Sequence, residues 1–348
     1  MFSVIKPFSN LRYGLRWLCV VSLWLYSCEN SSVETVQEAV VQSPKSEIDI
    51  LTDQISKDRL NSDLFHRRAI AYIKIGSLDA AMNSVKIAIG IDSTKGEYFF
   101  TKAEIHFAYR KVIQSIDALE RCVNLEAEHI EALVKLAELE FYIKNVQKSI
   151  SYLKKVNEVD PYNAQAYYIH GLVFKQIGDT TKALGSLQTA VEYDPDHYDA
   201  YLQLGLIHYG LNEKISEHYL KSAINLAPES TEALYALAMF YQSFDDTKKA
   251  MDMYYNIIEL DVRYINAHYN LGYLVYEELR DNETALKHFD NALSCDSTHA
   301  NSQYMKGLIH EELMKYPEAR KYYIKALKFE TNHELAIKGM NRLDRAPR

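Results

Sequence analysis

The sequence predicts an all-α solenoid of about eight helix-turn-helix units, and three observations carry that expectation. A small residue recurs at Ala69, Ala103, Ala137, Gly171, Gly205, Ala238, Gly272 and Gly307, in four steps of 34 residues followed by 33, 34 and 35. Two more registers keep step with it: Ala81, Ser115, Ser149, Ala183, Ser216, Ala250, Ala285, Ala319, and Ala88, Cys122, Val156, Ala190, Ala223, Ile257, Ala292, Ala326. Each period also carries two apolar patterns of helical spacing, which is the signature of stacked helical repeats. Repeats contact only their neighbours, so 348 residues fit a single elongated core. Function must then be read from a surface rather than from a buried reaction centre.

Composition narrows the partners. Hydrophobic residues make up 48% of the chain, which excludes disorder, and 27 tyrosines are a marked excess. Residues 1–27 hold Lys6, Arg12 and Arg16 and no acid, so losing those three cations moves the net charge from −8 to −11. An acidic chain is poorly suited to the phosphate backbone, whose affinity comes from Lys and Arg, so no nucleic acid is expected.

In chain order, residues 1–27 come first. Three basic residues precede an apolar run at 17–26, which reaches roughly 15 Å as a helix, half a bilayer. That length suits a signal peptide rather than a transmembrane span. The stretch Leu25-Tyr26-Ser27-Cys28 resembles the lipobox of bacterial lipoproteins, with an aliphatic residue three before the cysteine and a small one just before it. The resemblance implies cleavage before Cys28, lipidation of that cysteine, and anchoring to a membrane of the cell envelope, the outer membrane being expected. An ordinary signal peptide with an incidental cysteine is the plainer alternative. Residues 28–46 are rich in Ser, Gln, Val and Glu and read as a flexible tether. Cys122 sits in a packing register and reads as an inert core thiol; Cys122 and Cys295 lie five units apart, too far for a disulfide.

Residues 47–61 are expected to form a capping helix with Ile48, Leu51 and Ile55 on one face. Eight units follow over 62–333, at 62–95, 96–129, 130–163, 164–197, 198–230, 231–264, 265–299 and 300–333. In the fourth, Tyr167, His170, Gly171 and Phe174 share one helix face, Gly178 stops the helix, Asp179 caps the next, and Ala183, Leu187 and Ala190 line its inner face. Asp194-Pro195 breaks the chain before the fifth unit. Gly171 and Ala183 are placed where the two helices cross, and Ala190 where one unit meets the next. The fifth unit lacks one residue and the seventh gains one, both expected in the turn between helices. Residues 334–348 are expected to close the far end with Leu335, Ile337 and Met340, leaving Arg342, Arg345 and Arg348 outside.

This pattern resembles the tetratricopeptide repeat family, most clearly at His268-Tyr269-Asn270-Leu271-Gly272 and at Ala285, Phe289 and Ala292. The family's closing proline survives only as Pro161, Pro195 and Pro228. The resemblance implies a right-handed superhelix that binds partners on a concave face lined by the first helix of each unit. Here that face is expected to present the aromatic residues Phe100, Phe107, Phe141, Tyr142, Tyr168 and Tyr209. Further along it would present Tyr235, Tyr269, Tyr273, Tyr276 and Tyr304. Its acidic residues are expected to be Asp63, Glu97, Glu104, Glu131, Glu138 and Asp199, then Glu232, Glu277, Glu311 and Glu312. Only Lys74 and Lys175 oppose them. Such a groove focuses negative potential and favours a basic, aromatic or apolar protein segment. Tyrosine packing between neighbouring helices is the structural alternative. The family's clamp for a terminal carboxylate uses Lys, Asn and Arg; Tyr, Glu and Leu stand at the matching positions here.

No glycine-rich phosphate loop, CxxC, HExxH or EF-hand spacing occurs, so neither catalysis nor a cofactor or metal is expected. His106, His208 and His310 recur in one register and read as satisfied core histidines. The function these features predict is a non-catalytic adaptor for a partner protein. A glycan-binding lipoprotein that stacks sugars on tyrosines is the alternative.

Overall fold

The structure, a computed structural model, describes residues 46–345. The signal segment, Cys28, most of the tether, and Arg348 lie outside the described residues. Among the described residues the chain is all-helical, with no strand. Helix α1 (Glu47–Lys57) precedes eight hairpins. These are α2–α3 (Ser62–Lys74, Leu78–Ile91), α4–α5 (Gly96–Ala108, Val112–Leu125), α6–α7 (Ile130–Tyr142, Val146–Val159) and α8–α9 (Ala164–Gln176, Thr180–Tyr193). Then come α10–α11 (Tyr198–Gly210, Ser216–Leu226), α12–α13 (Thr231–Ser243, Thr247–Leu260), α14–α15 (Ile265–Leu274, Asn282–Cys295) and α16–α17 (Ala300–Glu312, Tyr316–Phe329). Helix α18 (Glu334–Arg345) ends the stack. None of these helices is long and apolar enough to cross a membrane.

The three sequence registers are the core. Every residue in them is buried, and the crossing of each hairpin depends on their size. A methyl on Gly171 would stand 2.5 Å from Leu187 Cγ, and one on Gly205 2.6 Å from Leu220 Cδ2. Three serines of the second register do more than stay small. Ser115, Ser149 and Ser216 donate their hydroxyls to the carbonyls of Ala103, Ala137 and Gly205, at 2.9, 2.8 and 2.8 Å, pinning the second helix to the first. Each helix packs most extensively on its hairpin partner, next on its sequence neighbour in the adjoining hairpin. Of the contacts that skip a helix, the substantial ones all join first helices: α2 to α4, α6 to α8, α10 to α12, and α16 to α18. Elements that touch across a repeat lie on the inside of a curve, so the first helices line the inner side.

Each first helix ends the same way. The second residue after it, or in the seventh unit the first after the π-helical turn at Val275–Leu279, takes a left-handed conformation: Gly76, Arg110, Lys144, Gly178, Asn212, Asp245, Arg280 and Met314. In α6 the Lys144 N–H then reaches Phe141 O at 2.9 Å and Asn145 N–H reaches Glu140 O at 2.7 Å, satisfying two terminal carbonyls.

Two expectations change. The extra residue of the seventh unit does not sit in the turn: it is taken up as a π-helical turn, Val275–Leu279, continuing α14. The deletion in the fifth unit does fall between the helices and shortens α11 to 11 residues against 14 in α9. Helix α18 is rotated from the expected face. It buries Ala336, Gly339 and Leu343, while Leu335 and Ile337 are exposed. The reason is close approach: a methyl on Gly339 would stand 2.5 Å from the Tyr323 ring, so only a small residue can lie there. At the other end α1 buries Leu51 and Ile55.

Candidate functional site: the inner face of the first helices

The inner face carries two aromatic rows with different duties. In one row Phe100 packs on His129 (ring centroids 4.8 Å), Tyr168 on His197 (4.9 Å) and Tyr235 on Tyr264 (5.6 Å). Tyr269 packs on His299 (5.2 Å) and Tyr304 on His333 (5.3 Å). Each partner is the residue that caps, or directly precedes, the next hairpin's first helix. This row is therefore mortar between hairpins, and the expectation that all its rings lie open to a partner is corrected. Tyr304 and Tyr276 are buried outright, and Tyr276 donates to Glu312 across the next hairpin.

The capping histidines hold the joints chemically as well. His129, His197, His299 and His333 each accept at Nδ1 the backbone N–H three residues on, of Ala132, Ala200, Ser302 and Ala336. Nε2 of His197 reaches back to Gln165 (3.1 Å) and that of His333 to Asn301 (3.0 Å). Asn163 and Ser230 cap at the same position. Sequence reading missed this set, although a His, Asn or Ser immediately before six of the eight first helices was visible; Lys95 and Tyr264 precede the other two.

The other row, one to two turns further along each helix, is the more accessible. Phe107 and Tyr142 are exposed, and Phe141, Tyr209 and Tyr273 are half-buried. Around Phe107 the structure shows how this surface treats a cation. Lys135, on α6, places Nζ 4.1 Å from the Phe107 ring centroid and 2.9 Å from Glu138 Oε2. Glu104, one turn before Phe107, has its carboxyl pushed above the usual range by burial, with Lys135 pulling it back. Lys135 is thus a third inner-face cation beyond the two expected. A sequence position next to an inward-facing one was enough to have found it.

The remaining charges divide into occupied and open. Asp63 is held below the ordinary carboxylate range by Lys95 and by the Tyr98 hydroxyl, each at 2.5 Å. Glu311 receives both arms of Arg342, at 2.8 Å each, and the Tyr323 hydroxyl. Arg342 therefore points in, not out as expected. Lys74 stands 3.9 Å from Glu47. Glu97 and Glu131 stay exposed, 3.9 Å from His66 and 3.3 Å from His129. Lys175 donates to Gln203 at 2.6 Å.

The register histidines are not uniformly satisfied. His208 is paired with Glu213 at 2.5 Å, but Nδ1 of His106 and of His310 is buried without a partner, and desolvation lowers both pKa values. Cys122 is a buried free thiol whose pKa burial pushes up to about 12, and Cys295 is also a free thiol. Among the described residues no three His, Cys, Asp or Glu side chains are placed to hold a metal.

With hairpins, left-handed stops and inner face in place, the sequence is recognised in two stretches. Residues 171–212 match the family model described as TPR repeat, and 300–333 the one described as tetratricopeptide repeat. These two stretches carry tetratricopeptide repeats. Solved structures agree on the fold. The C-terminal part of a TPR repeat-containing protein from Cytophaga hutchinsonii superposes with a TM-score of 0.59 at 13% identity, covering 69% of this chain and 99% of that one. PilF of Pseudomonas aeruginosa gives 0.53 at 16% identity, covering 61% and 97%. The Cut9–Hcn1 hetero-tetramer of the APC/C gives 0.51 at 17% identity, covering 85% and 58%. None of the curated proteins matches the sequence. At these identities the likeness speaks of the fold alone.

Proposed function

We propose that this chain is a non-catalytic adaptor whose inner face, from α4 to α14, holds an extended segment of a partner protein carrying basic side chains. The observation that carries the reading is the seat of Lys135. An ammonium placed on this surface finds an aromatic face at 4.1 Å and a carboxylate at 2.9 Å, the pairing a partner's lysine or arginine would seek. The neighbouring Glu104 is exposed, but protein around its carboxyl raises its pKa, so its charge is screened somewhat less than that of a freely solvated acid. Crosslinking in the native envelope identifies the partner; its purified binding is then measured against salt and against Glu104→Gln with Phe107→Ala. Binding should weaken steeply towards ~1 M salt, where the Debye length falls to about 3 Å, and in the double variant. Binding indifferent to both would end the acidic-groove reading.

The adaptor is further proposed to be lipid-anchored through Cys28 in the cell envelope, on the outer membrane. The support is the basic, apolar, small-residue and cysteine order of residues 1–28. Cys28→Ser should abolish fatty-acid labelling and shift the protein from the membrane to the soluble fraction. Persistent labelling would overturn the anchor.

A further inference from the structure

The inner-face cations differ in one respect: whether a carboxylate answers them. Lys95 has Asp63, Lys135 has Glu138, and Arg342 has Glu311. Lys175 has none. It lies in the last turn of α8, midway along the stack, and among the described residues its ammonium donates to the neutral Gln203 side chain on α10 at 2.6 Å and to no other side chain. Among the described residues no carboxylate comes within ion-pair distance of it, although the chain carries 47 acidic residues against 39 Lys and Arg. The residue as a whole is exposed, yet protein crowds the ammonium, and that desolvation alone lowers its pKa. The C-terminal end of α8 offers it a partial negative charge, worth about 0.3–1 kcal/mol at an exposed site. A cation on this face whose only neighbouring acceptor is a neutral amide is left free to take a carboxylate from outside, and a charge-assisted bond is the stronger one.

The neighbours give the position meaning. Towards the N-terminus lie Glu104 and Glu138, the seat for a cation; towards the C-terminus lie Tyr209 and Tyr235. Helices α6 and α8 touch directly, and packed helix axes stand about 8–10 Å apart. An extended segment covers that distance in about three residues at ~3.3 Å each.

We infer that Lys175 receives a carboxylate of the bound segment, so that the partner presents a basic side chain to Glu138, displacing Lys135 from that carboxylate, and an acidic one about three residues along. This rests on the inner face being the binding surface, as proposed above, and adds a charge order to it. Lys175 then selects against uniformly basic segments, because a second cation would meet it unpaired.

The test uses the full chain and a displayed library of random dodecamer peptides. Selection on the wild type should enrich peptides with Asp or Glu about three residues from Lys or Arg. Selection on Lys175→Glu should replace that acid with a base. For the best wild-type peptide, changing its acid to the amide should weaken binding by about tenfold, the scale of one charge-assisted hydrogen bond. The same change should be neutral on Lys175→Gln. Enriched peptides that are basic without the acid, or an acid-to-amide change felt equally by Lys175→Gln, would overturn this inference and leave the groove standing. No enrichment, or binding untouched by Glu104→Gln with Phe107→Ala, would overturn the groove itself.

Discussion

At the scale of single residues, the turn after each first helix shows a stability the chain has not taken. Eight positions adopt positive φ, yet only Gly76 and Gly178 are glycine; Lys144 sits at φ 65° and Met314 at φ 59°. A left-handed non-glycine residue costs roughly 1–2 kcal/mol, while glycine's extra freedom in the unfolded chain returns about 0.5–1 kcal/mol of that. The difference favours glycine. Lys144→Gly should therefore stabilise by about 0.5–1 kcal/mol, read as a raised midpoint in thermal or urea unfolding. An unchanged or lower midpoint would mean that the lysine side chain supports the turn. The same residue scale explains what sequence reading saw and missed at the hairpin crossings. Ala137 and Ser149 were legible as small, because size repeats with the period. The hydroxyl of Ser149 bonding Ala137 O at 2.8 Å was not, because alanine serves at the same position in Ala183 and Ala250.

At the scale of elements, the joints between hairpins are built from titratable caps. His299 accepts the Ser302 N–H at Nδ1, which only the neutral ring can do at that atom. The charged group facing it is Asp296, which favours protonation, but desolvation is the larger effect and lowers the His299 pKa. A depressed histidine pKa means that the unfolded chain binds the proton first. This group's contribution to stability is complete above the unfolded value of about 6.5 and is lost as pH falls below it towards the folded pKa. His299→Asn should keep the cap without titrating, as Asn163 does at the same position. Between pH 7 and pH 5.5 it should lose less stability than the wild type, by up to about 1 kcal/mol, the worth of a cap. His66, His106, His170, His288 and His310 share the direction but are present in both proteins, so the difference isolates His299. Parallel stability curves would show that the cap does not titrate. Helix existence and boundaries were legible because apolar period and turn residues agree. The π-helical turn in α14 was not, since an added residue reads the same in sequence whether a loop or a helix absorbs it. The rotation of α18 escaped for a related reason: Leu335 and Ile337 outweigh Ala336 and Gly339 in hydrophobicity, and only the Tyr323 ring decides for the small pair.

At the scale of the whole molecule, the inner face was legible as a list of positions but not as a division of labour. Spacing placed Phe100, Tyr168 and Tyr269 on the first helices, but only three dimensions show them packed on the cap of the following hairpin. The same nearest-neighbour logic governs stability, because the substantial contacts join each helix to those one or two places away. Helix α18 closes the stack through Arg342 on Glu311, Gly339 against Tyr323 and Asp344 on Arg320, with His333 just before it packed on Tyr304. Tyr323 is fully buried, and removing α18 would bare part of its ring while leaving Glu311 without its arginine. Burying a large side chain contributes about 1.5–3 kcal/mol, so the loss is large for one hairpin and small for the stack. Deletion of residues 334–348 should therefore speed amide exchange in α16 and α17 while α2 to α7 exchange as before, measured by hydrogen exchange with mass spectrometry. A uniform loss of protection along the chain would mean that the hairpins unfold as one cooperative body. In that case the energetic picture of a stack, though not its geometry, would have to be abandoned.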